Sequence, residues 1–295
     1  MKVALVAMGK LENRYAVEFV EYYKNLGIDN IFIIDNNDYD GEWFEDVLGD
    51  YINNDFVCIL NCRGLKYKGS QVMFYKSVYE QYVKNRYDWV FFCDFDEFLT
   101  FTKDHTIKEY LSRDCFKEYK QILINWKIYD DNDLIYDDGR GVLERFTRPI
   151  DKNKLIEYNK IPENCIVKPI IRGNINNLYT TFPHNFMNAE FKDTTCNASG
   201  KKILNTVTTK KIDWSLAYIK HFGTKTIDEF IHNKYKKGVG DRSYEEFLKT
   251  YPLERFFKYN KLTDEKLEFL KQNNIDISKL NNDNIDKYFT VKINW

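Results

Sequence analysis

After its first residue, the segment Lys2 to Met8 runs from a lysine through six unbroken apolar residues, and Gly9 closes it. A run with no polar alternation predicts a strand buried on both faces. Tyr15, Phe19, Tyr23 and Leu26 then recur at helical spacing, with Ala16 and Val20 on the adjoining rows and Gly27 as the stop. Asn30 to Ile34 predicts a second buried strand, ended by the polar turn Asp35-Asn36-Asn37-Asp38. A short helix around Trp43 to Leu48 and a third strand at Phe56 to Leu60 follow. Gly69-Ser70 opens a longer helix with Val72, Tyr75, Tyr79, Tyr82 and Val83 on one face. Trp89 to Cys93 is a fourth strand, closed by Asp94.

Strand–helix units of about 30 residues predict an α/β fold with a mainly parallel central sheet flanked by helices. Ligands bind such sheets beyond the carboxyl ends of the strands. Three polar clusters fall there: Lys10 to Asn13, Asp35 to Asp38, and Asp94 to Glu97. The middle of the chain is strand-rich and irregular. Its candidate strands are Gln121 to Trp126, Gly141 to Phe146, Cys165 to Ile171 and Leu216 to Ile219, with a loop from Phe182 to Gly200. After Thr224 the pattern turns helical, through Ile227 to Tyr235, Tyr244 to Leu248 and Leu262 to Leu270.

Composition narrows the function. The 295 residues carry 44 basic and 45 acidic side chains, so no global field draws the chain to nucleic acid. The 22 Tyr and 22 Phe argue against disorder. No apolar run reaches the roughly 20 residues that span a bilayer, and Val3 to Met8 is short for a signal-peptide core. The expectation is a soluble, cytoplasmic protein. The six cysteines form no C-x-x-C pair and are expected to be buried structural thiols.

The sharpest chemical feature is Asp94-Phe95-Asp96-Glu97, directly after a buried strand. Two carboxylates one residue apart can meet a divalent cation while the residue between them packs inward. Mg²⁺ and Mn²⁺ favour such oxygen ligands and share their shell with substrate phosphates. A phosphatase of the haloacid-dehalogenase type also uses D-x-D, but it wants Thr or Val where Phe98 stands, and it carries the motif on its first strand. Of four histidines, His221 ends an apolar strand and suits Mn²⁺ as a third ligand, with Lys225 near a diphosphate. His232 is expected to face solvent.

The segments Lys10-Leu11-Glu12-Asn13-Arg14-Tyr15, Glu18-Phe19, Tyr22-Tyr23 and Leu26-Gly27-Ile28-Asp29 resemble the K-N-E, Y-L, E-W, Y-H and L-G-V opening of glycosyltransferase family 92 and related family 2-like enzymes. The likeness runs on through Ile34 to Asp38, Gly69-Ser70-Gln71, Trp89 to Leu99, Asn125-Trp126, Glu144-Arg145-Phe146-Thr147, Lys168-Pro169 and His184. It ends with His221, Lys225-Thr226, Asp228-Glu229-Phe230, Lys234 and Gly238, similar to an H-Y-x-x-K-S-x-E-E-F-x-x-K-x-x-G block. Leu11 departs from the Asn of K-N-E, Phe19 from Trp, Tyr23 from His, Phe222 from Tyr, and Asp130 from Gly.

The resemblance implies a GT-A nucleotide-diphospho-sugar transferase fold over residues 1–240. Residues 1–100 would form the nucleotide-binding half and 101–240 the acceptor half, with a C-terminal helical extension at 241–295. It implies Mn²⁺ or Mg²⁺ and a UDP-sugar, from which a hexose such as galactose passes with inversion to a saccharide or lipid-linked glycan. Carried over by position, Asp94, Asp96 and His221 would bind the metal. Asp94, Glu12, Asp35, Asn36 and Lys225 would hold the donor, and His184 would contact donor or acceptor. The base candidates are Asp131, Asp138 and Glu190, with Asp131 preferred. Tyr288-Phe289, Lys292 and Trp295 could touch the inner face of a membrane. The competing reading is a non-catalytic sugar-nucleotide or glycan-binding module on the same fold.

Overall fold

The computed structural model describes residues 1–65, 69–152, 155, 156, 161–234, 253–275 and 277. The chain divides into two compact units: Met1–Trp126 with Cys165–Lys220, and Lys127–Asn164 with His221–Trp295. The first unit opens with the alternation that the apolar runs predict. β1 (Val3–Gly9), α1 (Asn13–Asn25), β2 (Asn30–Asp35), α2 (Glu45–Asn53), β3 (Val57–Asn61), α3 (Ser70–Val78) and β4 (Trp89–Asp94) follow in turn. β1 pairs in parallel with both β2 and β4, and β2 with β3. Met8 lies opposite Asp94 and Gly9 opposite Asp35, so three strands finish level at their carboxyl ends.

The helix α4 (Ile107–Leu111) follows, and the remaining strands are β5 (Glu97–Phe101), β6 (Gln121–Ile128), the short pair β7 (Leu155–Ile156) and β8 (Ile161–Pro162), then β9 (Val167–Arg172), β10 (Thr195–Asn197) and β11 (Ala217–His221). The main sheet has the order β3-β2-β1-β4-β9-β6-β11-β5, with β10 beside β6. β9 runs antiparallel to both β4 and β6. β5 follows β4 after two residues yet stands four places from it in this order. Four flat steps of ~4.8 Å would separate them by about 19 Å. The three Cα steps from Asp94 to Glu97 span at most about 11 Å, so the sheet curls.

The central strands are buried because both faces are covered. On one face Ala4, Val6, Phe32, Ile34, Val90 and Phe92 pack against Phe74, Tyr75 and Val78 of α3. On the other, Phe19 and Tyr23 of α1 meet Phe91, Phe95 and Phe98. Tyr23 replaces the family's His and does more than fill space. Its hydroxyl donates to the Glu97 carbonyl at 2.8 Å and accepts the Leu99 N–H at 3.0 Å. A fully buried α1 side chain thus pins the start of β5.

Several expectations change. Gly141 to Phe146, expected as a strand, contains the helical turn α5 (Val142–Arg145), because Arg145 turns inward to a buried acid. The Phe182 to Gly200 loop contains a 3-10 turn at Ala189–Phe191 and the strand β10. Cys115 is exposed, whereas Cys93, Cys165 and Cys196 are buried and all six thiols are free. The helices of the second unit continue with α6 (Ile227–Glu229), α7 (Leu253–Phe257) and α8 (Asp264–Gln272). Gly238, Tyr244 to Leu248, and Tyr288, Phe289, Lys292 and Trp295 lie outside the described residues. Among the described residues no helix is long and apolar enough to cross a membrane.

Tyr23→Phe keeps the ring but leaves the Leu99 N–H and the Glu97 carbonyl without this partner. The expected loss is about 1–3 kcal/mol in denaturant unfolding; an unchanged midpoint would show that the hydroxyl does not pin β5.

Candidate active site

The chain turns sharply where β4 ends. Phe95, between the two acids, is 3 % exposed and stacks on Phe19 and Phe44, with ring centres 4.5 and 5.3 Å away. Gly9 makes room for this: a Cβ there would sit 2.6 Å from Phe44 and 2.7 Å from Phe95. With the ring turned in, Asp94 and Asp96 stay partly exposed on either side of it.

The two acids have different surroundings. Asp94 Oδ2 accepts from Lys168 Nζ at 2.6 Å, and its Oδ1 accepts from Gln71 Nε2 at 2.9 Å. Lys168 is fully buried and also lies 3.4 Å from Glu97 Oε2, which accepts the Asp94 N–H at 2.8 Å. Burial pushes the Asp94 carboxyl up, but Lys168 outweighs it and, with a smaller contribution from His184, holds it below the ordinary value. Burial likewise opposes charge on Lys168, yet Asp94 and Glu97 raise its pKa well above the ordinary lysine value. For Glu97 burial wins, and its carboxyl is pushed well up.

Pro169 explains how a lysine reaches this place. It has no N–H to donate, and the β4–β9 ladder stops at Phe91 opposite Ile170. Beyond that point Lys168 meets β4 through its side chain instead of its backbone. His184 belongs to the same end of the unit: Nδ1 sits 3.1 Å from the Val167 carbonyl and the ring meets Trp126 edge-on at 5.4 Å.

The acids suit a hard divalent cation. Asp96 and Glu97 each bring a carboxylate oxygen within 4.8 Å of the other. Glu97 Oε1 is buried with no hydrogen-bond partner among the described residues. An oxygen left so in a fully buried acid is what a cation would satisfy, and the cation would also offset the burial that opposes ionisation.

The ends of β1 and β2 form a second cluster. Asp35 is 1 % exposed, and both its oxygens are engaged: Oδ1 by the Asn37 N–H and side chain, Oδ2 by Arg63 at 2.8 Å. Arg63 also donates to the carbonyls of Asp38, Gly41 and Glu42 and stacks on Trp43 at 3.8 Å. It thereby fixes the loop after β2. Asn36 is buried beside Gly9, its Oδ1 without a partner among the described residues. Glu12 is buried just before α1, after Leu11, which takes a left-handed φ of 53° and donates its N–H to Asn37.

The second unit holds Asp131, His221 and Lys225. Asp131 is fully buried, paired with Lys266 at 2.5 Å, and burial raises its pKa despite that lysine. A base must reach the acceptor hydroxyl, and in this structure the carboxylate is engaged by Lys266. Of the other base candidates, Asp138 pairs with Arg140 and Glu190 with Lys120. His221 ends β11, and its ring crowds Gly223, where a Cβ would lie 2.8 Å from Cε1. Lys225 is 7 % exposed, with a left-handed φ of 54°. The next residue, Thr226, forms a capping box with Glu229, which Arg145 grips at 2.8 and 2.9 Å. His232, expected to face solvent, is partly exposed and pairs with Asp228 at 2.9 Å.

In the sequence, Lys168, Gln71, Arg145 and Glu229 stand only as members of motif blocks of weak individual specificity, and Arg63 stands in none. The partners of all five are visible only once the chain is folded.

The class that the family comparison defines for this chain is a glycosyltransferase. The chain belongs to glycosyltransferase family 92, whose defining pattern matches residues 8–243. No curated protein matches it. Among solved structures, S. aureus TarS is similar at 12% identity with a TM-score of 0.41, covering 88% of this chain and 44% of TarS. The TarS 1–349 structure in complex with UDP-GlcNAc gives 13% identity and 0.41, over 90% of this chain and 78% of that one. GlyE of Streptococcus pneumoniae TIGR4 gives 17% identity and 0.27, over 43% and 29%.

Asn tolerates a left-handed φ better than Leu, and the family pattern carries Asn at position 11. Leu11→Asn is therefore expected to stabilise the protein by about 0.5–1 kcal/mol. A lower denaturation midpoint would show that the Leu11 side chain contributes packing that outweighs its backbone strain.

Proposed function

We propose that the protein transfers a hexose from a UDP-sugar to a saccharide or lipid-linked glycan, using a divalent cation at the end of β4. The observation that carries this is the partly exposed Asp96 beside a buried Glu97 oxygen without a hydrogen-bond partner among the described residues, at the carboxyl end of a parallel sheet. Family membership supports the transfer chemistry, and the resemblance in motifs supports UDP as the nucleotide. When bound, the cation would stabilise the diphosphate as it leaves.

Asp96 is the acid we assign to the cation, and the family motif assigns His221 as a further ligand. Lys225 is assigned to the diphosphate. Asn36 is the nucleoside contact, since its Oδ1 is buried without a partner among the described residues, while Asp35 serves by fixing the loop. Glu12 supports the same loop from the other side, and His184 is assigned to the sugar.

Calorimetry of UDP with and without Mn²⁺, on the wild type and Asp96→Asn, tests this. The expected result is micromolar binding that needs both the metal and Asp96, with the variant retaining the wild-type melting temperature. UDP binding that ignores both would overturn the cation assignment. No UDP binding by a folded protein would overturn the donor. Binding without transfer to any saccharide tested would favour the non-catalytic module.

A further inference from the structure

Lys225 is held with a φ of 54°, a backbone conformation that side chains rarely adopt. A residue persists there where the structure fixes its neighbours on both sides. After the lysine, Thr226 caps a turn with Glu229, which Arg145 grips at 2.8 and 2.9 Å. Before it, the Thr224 hydroxyl accepts from Asn260 Nδ2 at 3.1 Å. Asn260 is 1 % exposed and its amide is fully used: Nδ2 also donates to the Phe256 carbonyl at 3.0 Å, and Oδ1 accepts the Asp131 N–H at 2.8 Å. Phe256 belongs to α7, and Asp131 pairs with Lys266 of α8 at 2.5 Å, so this one amide is tied to both helices. Phe256 also meets Phe230, in the segment after Lys225, with ring centres 5.2 Å apart.

We propose that Asn260 is a positioning residue for Lys225: through Thr224 it fixes the near side of the left-handed turn and so sets where the Lys225 ammonium meets a diphosphate. This rests on the assignment of Lys225 to the diphosphate made above. A lysine meets a phosphate as a point charge on a flexible stem, so the placing of its backbone decides how well the charge is delivered. The neutral amide of Asn260 and the ion pair of Arg145 with Glu229 hold that backbone from opposite sides. The defining pattern of the family ends at residue 243, so Asn260 acts on the donor site from a segment outside the matched stretch.

The test is UDP affinity in the presence of Mn²⁺, measured by calorimetry on the full chain. Lys225→Ala is the reference and is expected to weaken UDP about 10–100-fold. Thr224→Val keeps the side-chain shape, removes the hydroxyl that accepts from Asn260 and leaves the bond from Asn260 to Asp131 in place. It is expected to weaken UDP about tenfold, as is Asn260→Ala, while Thr224→Ser retains wild-type affinity. In the Lys225→Ala background, Thr224→Val is expected to cost nothing further, because the group it positions is gone. An equal loss in both backgrounds would mean that Asn260 supports the unit in general and would overturn the proposal. Unchanged UDP affinity in Thr224→Val would also overturn it, with the diphosphate assignment of Lys225 left standing. If Lys225→Ala binds UDP as the wild type does, or the wild type binds no UDP, the assignment itself fails and the proposal falls with it. Should Asn260→Ala not fold, the Thr224 variants decide alone.

Discussion

One buried ammonium holds the end of β4. Lys168 has no solvent contact, and its pair with Asp94 fixes the residue from which the chain turns away from the sheet. Asp94 is partly exposed, but the lysine is not, so removing Asp94 would leave a buried ammonium with only Glu97 near it among the described residues. The stacked Phe19, Phe44 and Phe95 rings fix the next residue, and Tyr23 fixes the start of β5. Asp96 is therefore presented from a turn clamped on both sides. A rigid turn is what a cation or diphosphate site needs, since looseness there costs affinity directly.

The first hundred residues were legible because strands buried on both faces read as unbroken apolar runs, and α1 shows its stripe openly. β5 was not, because it begins two residues after β4 and shares its apolar character. The turn at α5 reads as a strand in sequence, since four residues carry too little periodicity and the partner that buries Arg145 lies 84 positions away. The D-x-D motif was visible, but its surroundings were not. The lysine that pairs with Asp94 is 74 positions further on. The same holds for Asp35: its partner Arg63 lies 28 positions away, and their pair holds the loop after β2.

The second unit uses the same device for a different segment. Arg145 and Glu229 form a two-pronged buried pair, and Glu229 also accepts the N–H and hydroxyl of Thr226. Lys225, just before that cap, sits in a left-handed conformation that side chains rarely adopt. Two blocks that carry the family resemblance, around Arg145 and around Glu229, thus meet in one ion pair whose effect is to set the backbone beside Lys225. Buried charge in this protein holds loops in place in both units.

The most direct measurement is anomalous X-ray scattering from crystals grown with Mn²⁺ and UDP. The predicted result is a manganese peak at bonding distance from the Asp96 carboxylate, with the diphosphate bound beside it. UDP bound with no manganese at Asp96 would contradict it.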